Sequence, residues 1–100
     1  MLIQKKKKND SPIKASDVAQ WMLDQINKKR ELYQNEVVYL IEDKFGSQFV
    51  YENRNGNLAI NREVLKEFRK LTEKTVVWSR IEFCWRIRSV DDPKIGRLAE

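Results

Sequence analysis

The chain contains no histidine. That removes the usual base for activating a serine or cysteine nucleophile. There is one cysteine, Cys84, so no internal disulfide can form, and a lone thiol without histidine cannot assemble a zinc site. Such a count suits a reducing compartment. Glycine is nearly as scarce: with only Gly46, Gly56 and Gly96 there is no glycine-rich phosphate loop, and nucleotide chemistry is not expected. No run approaches the roughly 18 apolar residues of a membrane span, and the lysine-rich start lacks the apolar stretch of a signal peptide. The chain is therefore expected in the cytosol, away from the membrane. Cys84 sits between Phe83 and Trp85 in an apparent strand and reads as a structural thiol. The acidic pairs Glu42-Asp43 and Asp91-Asp92 have no third ligand at a recognisable spacing and read as surface charge. No catalytic residue, metal or cofactor is expected, which leaves a binding module rather than an enzyme.

What is present is enough apolar material for one modest core: 41% of 100 residues are hydrophobic, and ten are Trp, Tyr or Phe. The net charge of +5 is unevenly placed. Lys5, Lys6, Lys7, Lys8 and Lys14 against Asp10 leave +4 over the first 15 residues, while the remaining 85 carry 15 basic and 14 acidic side chains. The start is thus a basic arm on a nearly neutral domain. Four lysines followed by Asn9, Asp10, Ser11 and Pro12 have little to bury and are expected to be disordered in isolation. They serve either as a solubilising tail or as a phosphate- or acid-binding arm. The expected division is an arm over 1–15, a domain over 16–90 and a polar, loose tail over 91–100.

Ser16 is a good N-cap with Asp17 at the positive end of the dipole, and Ala19, Met22, Leu23 and Ile26 recur at helical spacing. This predicts a first helix over about 16–30, its stripe widened by Val18 and Trp21. Leu32 and Tyr33 form a short apolar break. A second helix then runs from Gln34-Asn35 to Phe45 with Val37, Val38, Ile41 and Phe45 along one side, and Gly46 supplies a left-handed stop. Phe49, Val50 and Tyr51 read as extended, Asn55-Gly56 suits a tight type I′ turn, and Leu58 and Ile60 return the chain, as a small hairpin or a structured loop. Asn61 caps a third helix whose buried stripe is Val64, Leu65, Phe68 and Leu71, with Lys74 late in it. From Thr75 to Arg88 the period changes: Val77, Ile81, Phe83, Trp85 and Ile87 suggest alternation around Ser79 and Arg80, hence two strands with a short connection.

Helix, short extended piece, helix, hairpin or loop, helix, strand, strand is the order of a winged helix, an α+β fold with three helices and a C-terminal β-hairpin. The connection from Gly46 to Ile60 is far longer than the 3 to 4 residues typical of a helix-turn-helix, which points to an extra hairpin between helices two and three or to another α+β arrangement. The run Glu31-Leu32-Tyr33-Gln34, the stretch Gly56-Asn57-Leu58-Ala59-Ile60, and the pairing of Val76-Val77-Trp78 with Cys84-Trp85-Arg86 resemble a family of small uncharacterised bacterial proteins. The similarity spans about residues 16–88. It implies a bacterial or bacteriophage origin and carries over no functional residue.

Two partners fit this reading. In the first, the chain binds nucleic acid: the third helix approaches the major groove with Arg62, Lys66 and Arg69 as its reading face, and Arg80, Arg86, Arg88 and Lys5 to Lys8 contact phosphates. A nearly neutral domain weighs against it, and the mixed charge of that helix face equally describes a solvated surface held by internal ion pairs. In the second, the chain is a protein-binding adaptor or inhibitor that uses exposed aromatics, Trp78 foremost, while Trp21 and Trp85 serve the core; burial of all three tryptophans is the equal alternative. Oligomeric state is not legible in the sequence.

Overall fold

The computed structural model describes residues 12–92 and 97–98. The fold is α+β, with three α-helices and two antiparallel hairpins among the described residues. The order is α1 (Ala15–Lys29), β1 (Glu31–Tyr33), α2 (Gln34–Phe45), a 3-10 turn (Ser47–Phe49), β2 (Val50–Glu52), β3 (Leu58–Ile60), α3 (Arg62–Thr72), β4 (Val76–Ser79) and β5 (Cys84–Ile87). Among the described residues no helix is long and apolar enough to cross a membrane.

Helix α1 is capped two residues earlier than its serine suggests. The backbone N–H of Lys14, in extended conformation, donates to the Asp17 carboxylate at 2.8 Å, so Lys14 holds the cap position and Ser16 lies within the first turn. Val18, Ala19, Met22 and Ile26 form its buried face. At the other end Arg30 adopts φ 74, and its N–H donates to the Ile26 carbonyl at 2.8 Å. This left-handed residue is uncommon without glycine, and it turns the chain directly into β1.

The apolar break at Leu32 and Tyr33 is a true strand. β1 pairs with β5 in the register Glu31 to Arg86, Leu32 to Trp85 and Tyr33 to Cys84, and β5 pairs in turn with β4. The sheet order is therefore β1-β5-β4, closed at both ends of β1 by bonds from Ile87 N–H to the Arg30 carbonyl and from Gln34 N–H to the Phe83 carbonyl. Helix α2 buries Val37, Val38 and Ile41 and leaves Phe45 half-buried. It stops at Gly46, whose φ of 113 is positive but whose ψ of 161 is extended, so the stop is not the left-handed cap the sequence suggests.

The extra hairpin is present, joining β2 and β3, but without a type I′ turn. Five residues link the strands, and Asn53 organises them: its side-chain oxygen accepts from the N–H of Asn55 at 2.9 Å and of Asn57 at 3.0 Å. Gly56 takes φ 80 while Asn55 keeps a negative φ, which excludes the paired positive dihedrals of that turn.

Helix α3 starts where Asn61 predicts, with its side-chain oxygen accepting from the Glu63 N–H at 2.7 Å. It packs against α1 through Val64, Phe68 and Thr72, all fully buried, whereas Leu71 is 43% exposed. The sequence favours leucine over threonine for that position. Threonine is tolerated there because its hydroxyl donates to the Phe68 carbonyl at 2.7 Å and so buries no unmet donor. The helix ends at Thr72, leaving Lys74 beyond it. In the second hairpin Ile81 and Phe83 belong to the turn, not to an alternating strand, and both are exposed. Val76, Val77, Cys84 and Trp85 supply its buried side.

The described part of the C-terminal tail is tied down. Asp92 is buried and accepts two bonds from the Arg86 guanidinium, at 2.8 and 3.0 Å, as well as one from the Ser89 N–H at 2.7 Å. The Arg97 carbonyl accepts from the Trp78 N–H at 2.7 Å, and Leu98 bridges Trp78 in parallel, covering the outer edge of β4.

Candidate nucleic-acid interface

Arg62, Lys66 and Arg69 lie at positions i, i+4 and i+7 of α3, so one row of the helix surface presents all three. All are exposed, and among the described residues none forms an ion pair. The solvated-face alternative holds for one neighbour: Lys70 pairs with Glu67 at 3.3 Å.

The other sequence-predicted residues divide. Arg86 is withdrawn from the candidate interface, because its guanidinium is committed to Asp92 in a two-pronged ion pair. That pairing holds the Asp92 carboxyl down at about 2, chiefly through the hydrogen bond from Arg86 and then through the Ser89 N–H. It also overturns the reading of Asp91-Asp92 as plain surface charge. Arg88 is half-buried at the end of β5, with its N–H donating to the Thr75 carbonyl at 2.8 Å and its guanidinium reaching the Glu73 carbonyl at 3.5 Å. Arg80 is exposed in the turn of the second hairpin. Trp78 is half-buried, 4.9 Å from Trp85 between ring centroids. Lys5, Lys6, Lys7 and Lys8 lie outside the described residues.

Arg69 and Trp78 come together in a cavity of about 460 Å³ between α3 and the second hairpin. Its remaining wall includes Arg97, which sequence reasoning had consigned to a loose tail. The Arg97 guanidinium donates to the Thr72 carbonyl at 3.0 Å and lies 5.6 Å from the Phe68 ring centroid. Burial, and then the charge of Arg69, pull its pKa down to about 10, so it remains a cation at neutral pH. No periodicity marks Arg97. Its only sequence signal is a basic residue beyond the last apolar strand.

A second cavity, of about 530 Å³, opens between the start of α2, the loop of the first hairpin and the turn of the second. Tyr33, Tyr39 and Phe83 line it together with the amides of Gln34, Asn53 and Asn57. Phe83 holds φ 54, a rare value for a bulky side chain, and its ring is 60% exposed. Because the Phe83 carbonyl accepts from Gln34 N–H at 3.1 Å, the turn is tied to α2 and does not project as a free wing. Cys84 beside it is buried, and burial followed by the charge of Glu82 pushes its thiol up, away from nucleophilic thiolate character.

Residues 14–87 match the model of a family of unknown function (DUF6953), and the chain belongs to that family. No curated protein matches it. No solved structure does either.

Proposed function

With membership of a family that assigns no chemistry as the starting point, we propose that this chain is a non-enzymatic, winged-helix-type nucleic-acid-binding module in which α3 is the recognition helix. The observation that carries this reading is the exposed row Arg62, Lys66 and Arg69 on the third helix, without ion pairs among the described residues. A cation that is not neutralised internally is available to a phosphate, and phosphate contacts supply most of non-specific DNA affinity. The β1-β5-β4 strand order, with a C-terminal hairpin joined by the strand between α1 and α2, supports the winged-helix comparison even though the turn of that hairpin is held against α2, an argument by likeness of architecture. The test is association of the full chain with labelled duplex DNA as salt is raised from about 50 to about 200 mM, where phosphate-dependent affinity falls steeply. Charge reversal by R62E and K66E is expected to weaken binding strongly with the fold intact. Absence of any salt-dependent association at about 50 mM would sink the reading.

One observation favours the alternative, a protein-binding adaptor. The cavity at Tyr33, Tyr39 and Phe83 pairs two exposed aromatic rings, Tyr39 and Phe83, and the half-buried Tyr33 with amide groups, the mixture by which protein surfaces anchor a partner. Under that reading R62E and K66E leave partner capture unchanged, and Y39A or F83A abolishes it.

A further inference from the structure

The cavity beside α3 combines three features that the row of cations alone does not use. Its wall is aromatic, since Trp78, Trp85 and Phe68 line it, with Phe68 5.3 Å from Trp85 between ring centroids. Among the described residues its charged lining is cationic: Arg69 and Arg97 border it and no carboxylate does. Among the described residues the acid that acts on Arg97 is Glu73, offset by the like charges of Arg69 and Arg88. Finally, the Arg97 guanidinium is positioned rather than neutralised. One of its terminal nitrogens donates to the carbonyls of Thr72 at 3.0 Å and Val76 at 3.5 Å, and among the described residues the other nitrogens of the fork make no hydrogen bond. A fixed guanidinium of this kind presents a charged fork to a tetrahedral anion.

Resting on the nucleic-acid reading above, we propose that this cavity seats one nucleotide of a single strand, with the base against the tryptophan wall and its phosphate on Arg69 and Arg97. A volume of about 460 Å³ lies within the range of about 300 to 1,000 Å³ usual for sites that enclose a small molecule. Charge selects the occupant: two guanidiniums, with no carboxylate among the described lining residues, favour a polyanion, and the indoles favour a polyanion that carries flat rings. A duplex keeps its bases stacked on one another, so only an unpaired base offers its face. Such stacking is tolerant of sequence, because every base has a π-face.

The experiment compares four labelled ligands of equal length against the full chain: oligothymidine, an abasic strand of the same charge, duplex DNA and poly-glutamate. Oligothymidine is expected to bind about 5- to 150-fold tighter than the abasic strand, the range given by one stacked base, and to quench tryptophan emission. R97Q should weaken both single strands, and W78L should narrow the gap between them. W78F, which keeps a flat ring, should retain most of that gap, and a melting curve for each variant separates lost binding from lost folding. Equal affinity for oligothymidine and the abasic strand overturns the base site while leaving phosphate binding by α3 intact. Poly-glutamate binding as tightly as oligothymidine overturns it in favour of an acidic protein. Binding of oligothymidine without binding of duplex upholds the cavity and removes the major-groove role of α3. Failure of all four ligands overturns both readings together.

Discussion

Phe68 of α3 and Trp85 of β5 meet edge to face, ring centroids 5.3 Å apart and planes 77° from parallel. Phe68 is fully buried and Trp85 is 6% exposed, so the contact fixes the third helix onto the sheet. Either residue changed to alanine is expected to cost about 3 to 5 kcal/mol, from lost transfer energy and the cavity left behind. Chemical denaturation of F68A and W85A measures this directly, and a loss below about 1 kcal/mol in both would contradict it.

The Arg86–Asp92 pair makes stability sensitive to acid. Asp92 titrates at about 2 in the folded chain against 3.8 for the free side chain. A depressed folded value means that the contribution is fully present above about pH 4 and is lost as the pH falls through about 2. The urea midpoint of D92N is therefore expected to lie below that of the parent at pH 6. The two curves should converge between pH 4 and 2. A constant offset across that window would assign the stabilisation to something other than the carboxylate charge.

Arg97 is expected to stabilise the domain independently of any ligand, since its guanidinium bonds the Thr72 carbonyl at the end of α3 and lies over Phe68. Hydrogen bonds from charged groups are worth about 1.5 to 3 kcal/mol. R97A should lower stability by about that much, and ending the chain after residue 92 should lower it further by removing Leu98 from β4. A truncated chain that melts with the parent would show the tail to be idle.

In the first hairpin the decisive residue is Asn53, not the Asn55-Gly56 pair. N53A removes the acceptor for two backbone N–H groups and is expected to cost about 1 kcal/mol, with faster amide exchange at Asn55 and Asn57. N55A should be nearly neutral. The reverse ranking would restore the tight-turn interpretation.

Removal of residues 1–11 tests the lysine arm. The cap of α1 begins at the Lys14 N–H, so the shortened domain should melt near the full chain. If the four lysines meet phosphates, the slope of log affinity against log salt should become shallower by at most about 3.6. An unchanged slope would leave the arm a solubilising segment.

The helices were legible because their buried residues recur at a spacing that burial imposes on both the pattern and the structure: Val18, Ala19, Met22 and Ile26 in α1, Val64 and Phe68 in α3. Their ends were less so. Lys14 caps through a backbone N–H, which every residue but proline carries, so only Asp17 hinted at it. Strand β1 buries one side chain, Leu32, and three residues cannot display a period. Ile81 and Phe83 imitate strand alternation while standing in the turn, and nothing local marks them as exposed. Of the candidate site, the row on α3 was readable from spacing alone. The commitment of Arg86 to Asp92 and the return of Arg97 to Trp78 depend on how a hairpin folds back, which residue types do not encode locally.

The pairing of Leu32 with Trp85 also sets the order in which the molecule can assemble. The two partners are separated by about fifty residues of chain, and closing a loop of that length costs on the order of 3 kcal/mol of entropy before the contact returns anything. The helices and the first hairpin join near neighbours and can form early. The sheet cannot, because its central strand is nearly the last segment of the domain to be made. A chain still on the ribosome with β5 inside the exit tunnel would have the helices and the first hairpin but not the three-stranded sheet. Its refolding from denaturant should accordingly be limited by the step that docks the β4-β5 hairpin onto β1.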